Sequence, residues 1–245
     1  MKDLFSGHAS EYAAFRPGYP AALYNALLQQ VAGRHHAWDV GCGNGQVARD
    51  LAPHFVQVTA TDISAKQIQQ AAPVDNLEYH VCPAEQTPFA SNSFDLITVA
   101  QALHWFNIPA FFQEAQRVAK PGALVALWGY NLLKVDAHVD DLLQDFYVRM
   151  GPYWDAARKL VDDQYRSIGF PFAEVQMPPF SMTYRWTLDH FQGYLSTWSA
   201  VKQYIRVHGH NPVDELAGAL VPYWVGPREV VFPIFLRAGR IEKSV

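Results

Sequence analysis

Apolar residues follow two alternating patterns through the middle of the chain. Short, continuous apolar runs are typical of strands that are covered on both faces. They occur at Ala37–Val40, Val56–Thr61, Leu77–Val81, Phe94–Ala100 and Ala123–Trp128. Segments with helical spacing of apolar residues lie between these runs, at Gln46–Ala52, Ala65–Ala71 and Ile108–Val118. Together these patterns predict βαβ units around a parallel sheet.

The regular alternation stops after residue 130. One further helix is predicted ahead of the first strand, at Pro20–Val31. After residue 130, helices are predicted at Val135–Met150, Asp155–Ile168 and Leu188–Trp198. The segment Val175–Trp186 predicts a strand pair, or one long strand interrupted at Pro178 and Pro179. The last apolar run, Glu229–Leu236, predicts a closing strand, in which Pro233 indicates an edge or a bulge.

Composition narrows the class of protein. The chain has 245 residues, of which 50% are hydrophobic and 17% are charged, so it can bury a substantial core and is not a disordered segment. A net charge of -4 argues against a dedicated nucleic-acid-binding protein. No apolar stretch approaches the roughly 18 residues that a membrane span needs, and no signal-peptide pattern is present, so we expect a cytoplasmic protein. Cys42 and Cys82 lack the spacing of a metal site, and no metal is expected.

A glycine-rich turn follows the first predicted strand. Gly41, Gly43 and Gly45 alternate with other residues and lead directly into a helical segment. Glycines allow the backbone to turn sharply and to approach a ligand closely. Asp62 ends the next predicted strand, about 20 residues beyond the first glycine, which is the spacing at which a carboxylate reaches the ribose of a nucleoside. The alternatives are an ordinary tight turn and, for Asp62, a helix N-cap ahead of Ser64.

The order of the glycines discriminates between nucleoside cofactors. Dinucleotide sites have the spacing G-x-G-x-x-G, whereas this turn has Gly41-x-Gly43-x-Gly45. The acidic Asp39 lies two residues before the turn. A carboxylate there suits a cofactor that carries a free ammonium group, such as a methionine moiety, which also bears a sulfonium cation.

Five stretches in order resemble the motif set of class I S-adenosylmethionine-dependent methyltransferases: Trp38–Gln46, Thr61–Ser64, Pro83–Phe89, Ser93–Ile97 and Arg117–Gly122. A narrower resemblance is to the branch that includes trans-aconitate methyltransferases. It is carried by Phe5, Tyr12 and Phe15–Pro20, by Gln101–Phe106, and by Tyr194–Ser199.

The resemblance implies a fold and a division of the chain. The implied fold is α/β, a doubly wound and mostly parallel seven-stranded sheet with a helical cap inserted in the C-terminal half. We expect a single methyltransferase domain over 1–245. Within it, residues 1–36 would form a helical lid and 37–130 the cofactor-binding core. Residues 131–228 would form the cap and substrate-binding elaboration, and 229–245 the closing strand and tail.

The resemblance also implies cofactor contacts. Asp39 and the three glycines of the turn would surround the methionine end of S-adenosylmethionine. Asp62 would accept hydrogen bonds from the ribose, and Ile63 would pack against the adenine. Gln101, just past the fourth strand, would lie near the carboxypropyl part and the acceptor entrance.

The adenine contacts depart from the family pattern. Ala84 and Glu85 would lie at the adenine edge. Many class I members have an aspartate just before this alanine, where it accepts the adenine amino hydrogen, but this chain has Pro83. Adenine recognition would therefore fall to Glu85 or to backbone groups.

Candidate residues for the methyl acceptor follow from the chemistry of methyl transfer. In-line transfer from a sulfonium needs alignment and exclusion of water, and only a hydroxyl or amine acceptor needs a general base. His104 is the candidate base, and a loop histidine bonded to the backbone is the alternative. Arg16 is the candidate for binding a substrate carboxylate, with a surface salt bridge as the alternative. Further candidates to line the acceptor site are Tyr12, Tyr19, Trp105, Tyr130 and Trp198.

We therefore expect an enzyme that methylates a small molecule, at a carboxylate or a hydroxyl, as a monomer or homodimer. A nicotinamide-dependent oxidoreductase is disfavoured by the glycine order. One alternative is a non-catalytic protein that binds the cofactor. Another is a methyltransferase of a macromolecule, because the same cofactor half of the fold serves all acceptors.

Overall fold

A sheet of eight strands runs through residues 18–243, which are the residues that the computed structural model describes. The strands are β1 His36–Val40, β2 Gln57–Asp62, β3 Leu77–Val81, β4 Phe94–Ala100, β5 Ala119–Tyr130, β6 Ala173–Val175, β7 Phe180–Trp186 and β8 Arg228–Arg240. Their order is β3-β2-β1-β4-β5-β8-β6, and β7 also pairs with β8. Strands β1 to β5 are parallel, whereas β8 runs antiparallel to β5. The predicted mixed α/β fold is confirmed.

Helices connect and cover these strands. They are α1 Ala21–Gln30, α2 Gln46–Leu51, α3 Ala65–Ile68, α4 Ile108–Val118, α5 Ala137–Arg149, α6 Arg158–Asp162, α7 Leu188–Ser196, α8 Ser199–His208 and α9 Val213–Leu220. A single 3-10 turn, Leu103–Trp105, follows β4. Across residues 18–243, no helix has the length and hydropathy that crossing a membrane requires.

Alternate strand residues face two separate cores. Ala37, Leu96 and Leu124 belong to the core that α1, α2, α5, α7, α8 and α9 cover. Their neighbours along the chain, such as Trp38 and Ile97, belong to the core beneath α4. Both faces of the central strands β1, β4 and β5 are covered, which explains why their sequences are mostly apolar, whereas the edge strand β3 has exposed positions such as Val81.

The region around Pro178 and Pro179 forms one long strand that the two prolines interrupt, which was one of the two predicted alternatives. Strands β6 and β7 lie on either side of the two prolines, and each pairs with β8. Pro233 pairs with Ser181 of β7, one residue before pairing with β5 begins at Ile234. The proline therefore stands where β8 lacks its β5 neighbour, which agrees with the predicted edge position.

The predicted helix Asp155–Ile168 was wrong in extent. Only Arg158–Asp162 is helical, because Gln164 and Tyr165 have φ angles of 58° and 59°, a left-handed conformation that ends a helix. The helix predicted to run to Ala71 also ends early, at Ile68. Helices α8 and α9 were not predicted at all.

A buried carboxylate fixes the segment between β3 and β4. Glu114 of α4 is 7% exposed, and its Oε1 accepts hydrogen bonds from the backbone N–H and the hydroxyl of Thr87, at 2.7 and 2.6 Å. Arg117 donates to the same carboxylate at 2.7 and 2.8 Å. Burial acts to raise the pKa of Glu114, but the hydrogen bonds from Arg117 and Thr87 bring it below its ordinary value. The stabilisation that the ionised Glu114 carboxylate provides is therefore present at pH values above the ordinary glutamate pKa. It is lost as pH falls through the lowered pKa of Glu114 in the folded protein.

We expect Glu114→Gln to lower the free energy of unfolding at neutral pH by about 2–3 kcal/mol, because it removes a charged acceptor and leaves buried donors unsatisfied. Chemical denaturation measures the loss, which should shrink below about pH 4 as the wild-type carboxylate protonates. Glu215→Gln is the control, since the ion pair of Glu215 with Arg149 is exposed and should be worth about 0.5 kcal/mol or less. Equal losses in the two variants would contradict the anchoring role.

Candidate functional site

The glycine turn joins β1 to α2 at the carboxyl ends of the parallel strands. Gly41 and Gly45 have φ angles of 66° and 79°, and a Cβ on Gly41 would lie 2.6 Å from the Cβ of Ala102. A Cβ on Gly45 would collide with the ring of Tyr79. Beside Gly43 the nearest atom of residues 18–243 to such a Cβ is 3.9 Å away. Packing thus requires two of the glycines, and among the described residues the middle one has free space beside it, at the sheet edge where ligands of this fold class bind.

Asp62 ties this turn to the end of β2. Its Oδ2 accepts a hydrogen bond from the backbone N–H of Gly43 at 2.9 Å, and its Oδ1 accepts one from Ser64 at 2.8 Å. The next residue, Ile63, is 37% exposed, which leaves an apolar side chain beside the turn. Asp62 therefore holds the glycine turn in place, a role that the sequence did not predict. It is not the N-cap of α3, the alternative considered for it, because Ser64 occupies that position.

Asp39 is buried beneath the turn. It is 1% exposed, and its Oδ1 accepts a hydrogen bond from the hydroxyl of Thr98 at 2.8 Å. Its Oδ2 is buried with no hydrogen-bond partner among the described residues. Burial raises the pKa of Asp39 to about 7, although the hydrogen bond from Thr98 acts in the opposite direction. An unpaired buried carboxylate oxygen is costly, so the site favours a ligand group that donates a hydrogen bond or carries a positive charge.

The predicted adenine-edge residues follow β3. Ala84 is buried, 3% exposed. Oε1 of Glu85 accepts a hydrogen bond at 2.7 Å from the backbone N–H of Asn107, the N-cap of α4. Glu85 thus connects the loop after β3 to the start of α4, a structural contact that was not expected.

Gln101 adopts an unusual backbone conformation where β4 ends. Its φ angle is 55°, in the left-handed region that residues other than glycine seldom occupy. Its side chain donates to the carbonyl of Tyr130 at 2.8 Å and accepts from the backbone N–H of Tyr130 at 3.2 Å. The side-chain amide of Gln101 therefore forms the hydrogen bonds to β5 that a strand backbone would form. The left-handed backbone at Gln101 ends β4 ahead of Leu103–Trp105.

A cleft opens next to Gln101, between the ends of β4 and β5 and the helices of the second half. It is lined by Gln101, His104, Trp105, Tyr130, Asn131, Trp154, Asp155, Arg158, Tyr194, Trp198 and Ser199. The structure thus brings together four residues that were predicted for catalysis or acceptor binding, namely His104, Trp105, Tyr130 and Trp198. Tyr19 lies close by, with its ring edge-on to Trp128 at 5.5 Å and 6.4 Å from Tyr130. Tyr12 and Arg16 lie outside the described residues.

Arg158 is one of the cleft residues that sequence reasoning missed. Its guanidinium lies 4.8 Å from the ring centre of Trp154, and its Nη2 donates to Oδ1 of Asn131 at 2.8 Å. Its Nε donates to the hydroxyl of Tyr147 at 3.2 Å and lies 3.4 Å from Asp162. In sequence, Arg158 and Asp162 form an ordinary i,i+4 pair of an exposed helix, so only the position of α6 against the cleft reveals the arginine.

His104 is a neutral side chain in this cleft. Burial, and then the positive charge of Arg158, lower the pKa of His104 to about 3, while Asp155 acts in the opposite direction. Its Nδ1 lies 3.2 Å from the hydroxyl of Tyr165. A general base works best with a pKa near the operating pH, so this environment makes His104 a weak base.

Comparison with known proteins assigns the family. A model described as a methyltransferase domain matches residues 38–127. A protein of Dictyostelium discoideum, named only as a methyltransferase of unproven activity, is 33% identical over 224 residues, which cover 89% of this chain and 85% of that protein. The chain belongs to the class I S-adenosylmethionine-dependent methyltransferases. Among solved structures, a type II methyltransferase of unproven activity from Anaeromyxobacter dehalogenans is 41% identical in sequence to this enzyme. Its structure matches with a TM-score of 0.87, over 94% of this enzyme and all of that chain.

A more distant structure shares the fold alone. Phosphoethanolamine N-methyltransferase 2 of Haemonchus contortus, in complex with phosphomonomethylethanolamine and S-adenosylhomocysteine, is 18% identical with a TM-score of 0.52. The match covers 97% of the enzyme and 58% of that chain.

The residues of the turn fit the cofactor that the family uses. The unpaired Oδ2 of Asp39 suits the ammonium group of S-adenosylmethionine, and the open space beside Gly43 allows a ligand to approach the backbone. Asp62 and Ile63 are adjacent at the end of β2, so a carboxylate that would accept from ribose hydroxyls lies beside an exposed apolar side chain that would pack on adenine.

We expect Asp62→Ala to weaken binding of S-adenosylhomocysteine by on the order of 1–3 kcal/mol, through lost charged hydrogen bonds. Isothermal titration calorimetry measures the change, and Asp75→Ala, at an exposed aspartate, is the control. The variant should also lose discrimination against an analogue without ribose hydroxyls. If the substitution only loosened the turn, affinity for S-adenosylhomocysteine and for the analogue would fall by the same factor. Unchanged affinity for S-adenosylhomocysteine would refute the ribose contact.

The buried carboxylate predicts a pH dependence of cofactor affinity. Since Asp39 must be ionised to pair with an ammonium group, affinity for S-adenosylhomocysteine should fall as pH drops below about 7, by up to roughly tenfold per pH unit. Asp39→Asn should bind weakly and show a flatter profile. Binding that stays constant between about pH 5.5 and about pH 7.5, in protein that remains folded, would contradict this role of Asp39.

Proposed function

We propose that the enzyme methylates a carboxylate of a small molecule that binds in the cleft of His104 and Arg158. The observation that carries the proposal is the guanidinium of Arg158, held among aromatic rings at the carboxyl ends of β4 and β5. Ligands of open α/β sheets bind at this edge, so the arginine stands beside the predicted cofactor site.

The contacts of Arg158 favour recognition of a planar anion. Asn131 and Tyr147, which are neutral, orient the guanidinium, and Asp162 balances its charge from the Nε side. Its Nη1 donates to no other described residue. Arginine can bind two carboxylate oxygens with two parallel hydrogen bonds. Nε1 of Trp154 is also buried with no hydrogen-bond partner among residues 18–243 and offers a further donor in the cleft wall.

A carboxylate acceptor also agrees with the weak basicity of His104. A carboxylate is already ionised at neutral pH, so it attacks without losing a proton, whereas a hydroxyl needs a base. Asp155 is the acidic residue of the cleft lining, and its Oδ1 accepts a hydrogen bond from the backbone N–H of Ala157. This hydrogen bond caps the turn before α6.

The residues around the cleft would act by positioning. When bound, S-adenosylmethionine supplies an electrophilic methyl group on a sulfonium. Arg158 would orient the acceptor oxygen, and Trp105, Tyr130 and Trp198 would exclude water from the reacting atoms. Tyr194 and Ser199 place α7 and α8 on the same cleft, a wall that suits an acceptor small enough to be enclosed.

We expect activity on a panel of mono-, di- and tricarboxylates and none on the matching amides, measured as transfer of a radiolabelled methyl group. Arg158→Met should raise the acceptor KM by roughly 10- to 100-fold, because it removes charge-assisted hydrogen bonds, and should leave affinity for S-adenosylhomocysteine unchanged. Arg149→Met is the control, since Arg149 pairs with Glu215 at the surface. Methylation of alcohols or of a protein, with no carboxylate turned over, would overturn the proposal.

A further inference from the structure

Tyr165 lies behind His104 in the wall of the cleft. The side chain of Tyr165 is fully buried, and its ring packs edge-on against Phe235 at 5.1 Å. Its hydroxyl is 3.2 Å from Nδ1 of His104. The other ring nitrogen, Nε2, forms no hydrogen bond within residues 18–243, and His104 lines the cleft. The two nitrogens of the imidazole therefore face different surroundings, a buried phenol and the cleft.

The backbone that carries Tyr165 is held in an unfavourable conformation. Gln164 and Tyr165 are consecutive residues in the left-handed region, which is costly for side chains other than glycine. Nη1 of Arg237 donates to the carbonyls of Tyr165 and Ile168 at 2.9 and 3.0 Å, and Arg237 also pairs with Glu174. Strand β8 thus anchors the loop at the position that brings the phenol to His104.

The phenol has one proton, and its surroundings determine where that proton goes. Burial keeps the phenol neutral, because it raises the pKa of Tyr165 well above its ordinary value. A buried hydroxyl needs an acceptor for its proton. Within residues 18–243, Nδ1 of His104 is the acceptor within hydrogen-bond distance of this hydroxyl, so the phenol donates its proton to Nδ1.

We propose that Tyr165 is a positioning residue that holds His104 in the tautomer with its proton on Nε2. Because Nδ1 then accepts from Tyr165, the imidazole presents to the cleft a hydrogen-bond donor without a basic lone pair. His104 thereby binds an oxygen of the acceptor together with Arg158 and takes no proton from it. The inference rests on the proposed function only in treating the cleft as the acceptor site.

The tautomer can be measured without any acceptor. In two-dimensional 15N NMR of the full-length enzyme with labelled histidine, the signals of His104 are identified by their loss in His104→Gln. The wild-type ring should show a protonated Nε2 and an unprotonated Nδ1. In Tyr165→Phe, which removes only the hydroxyl, the two nitrogen shifts should move toward each other as both tautomers become populated.

The control is Tyr24→Phe, which removes a buried hydroxyl bonded to Asp50, outside the cleft, and should leave the His104 signals unchanged. A wild-type ring protonated on Nδ1 would overturn the proposal even if Tyr165→Phe failed to fold. So would a Tyr165→Phe protein with unchanged His104 signals.

A kinetic comparison tests the donor role itself, with a carboxylate that the wild-type enzyme methylates. The amide of His104→Gln can donate a hydrogen bond but cannot act as a base, so its kcat/KM should be several-fold higher than that of His104→Ala, which should lose roughly tenfold or more relative to wild type. Equal losses in the two variants would contradict a donor role. A panel without any methylated carboxylate counts against the proposed function, whereas the NMR result decides the tautomer independently.

Discussion

The hydrogen bonds of the Asp62 carboxylate fix the geometry on which the rest of the cofactor site depends. One oxygen holds the backbone of Gly43 and the other holds Ser64, so the turn after β1 and the turn after β2 form one unit. The unit stays compact because Gly41 packs against Ala102 and Gly45 against Tyr79, with no room for a Cβ at either position. A side chain at the end of one strand therefore determines the shape of the loop that follows its neighbour.

The same edge of the sheet carries two chemically different regions. Around Asp39 the structure buries a carboxylate oxygen without a partner, which favours a cationic ligand group. Around Arg158, in the cleft that Gln101 also lines, it holds a guanidinium among aromatic rings. Gln101 is held at this edge by hydrogen bonds to the backbone of Tyr130. Under the proposed function, a positively charged methyl donor and an anionic acceptor would meet at this edge.

The candidate site could be predicted in part. The glycine turn and the aspartate after β2 were identified because strand, turn and helix follow each other closely in sequence, and local rules govern such units. Trp105, Tyr130 and Trp198 were identified from residue type and from the resemblance. The contacts of Glu85 with the start of α4, and of Gln101 with Tyr130, were missed, because each joins segments separated by more than 20 residues.

The sequence by itself determined the strands, the turn and the family, because apolar periodicity and glycine spacing reflect local backbone constraints. Only the tertiary structure decided the chemistry of the acceptor cleft. Arg158 and Asp162 have the spacing of a solvated helix pair, and His104 has the sequence context of a base. Packing α6 and the Tyr165 loop against the end of β4 places the arginine in the cleft and suppresses the basicity of the histidine. Burial and long-range contacts determine the position of the arginine and the pKa of the histidine, and neither can be predicted from residue type alone.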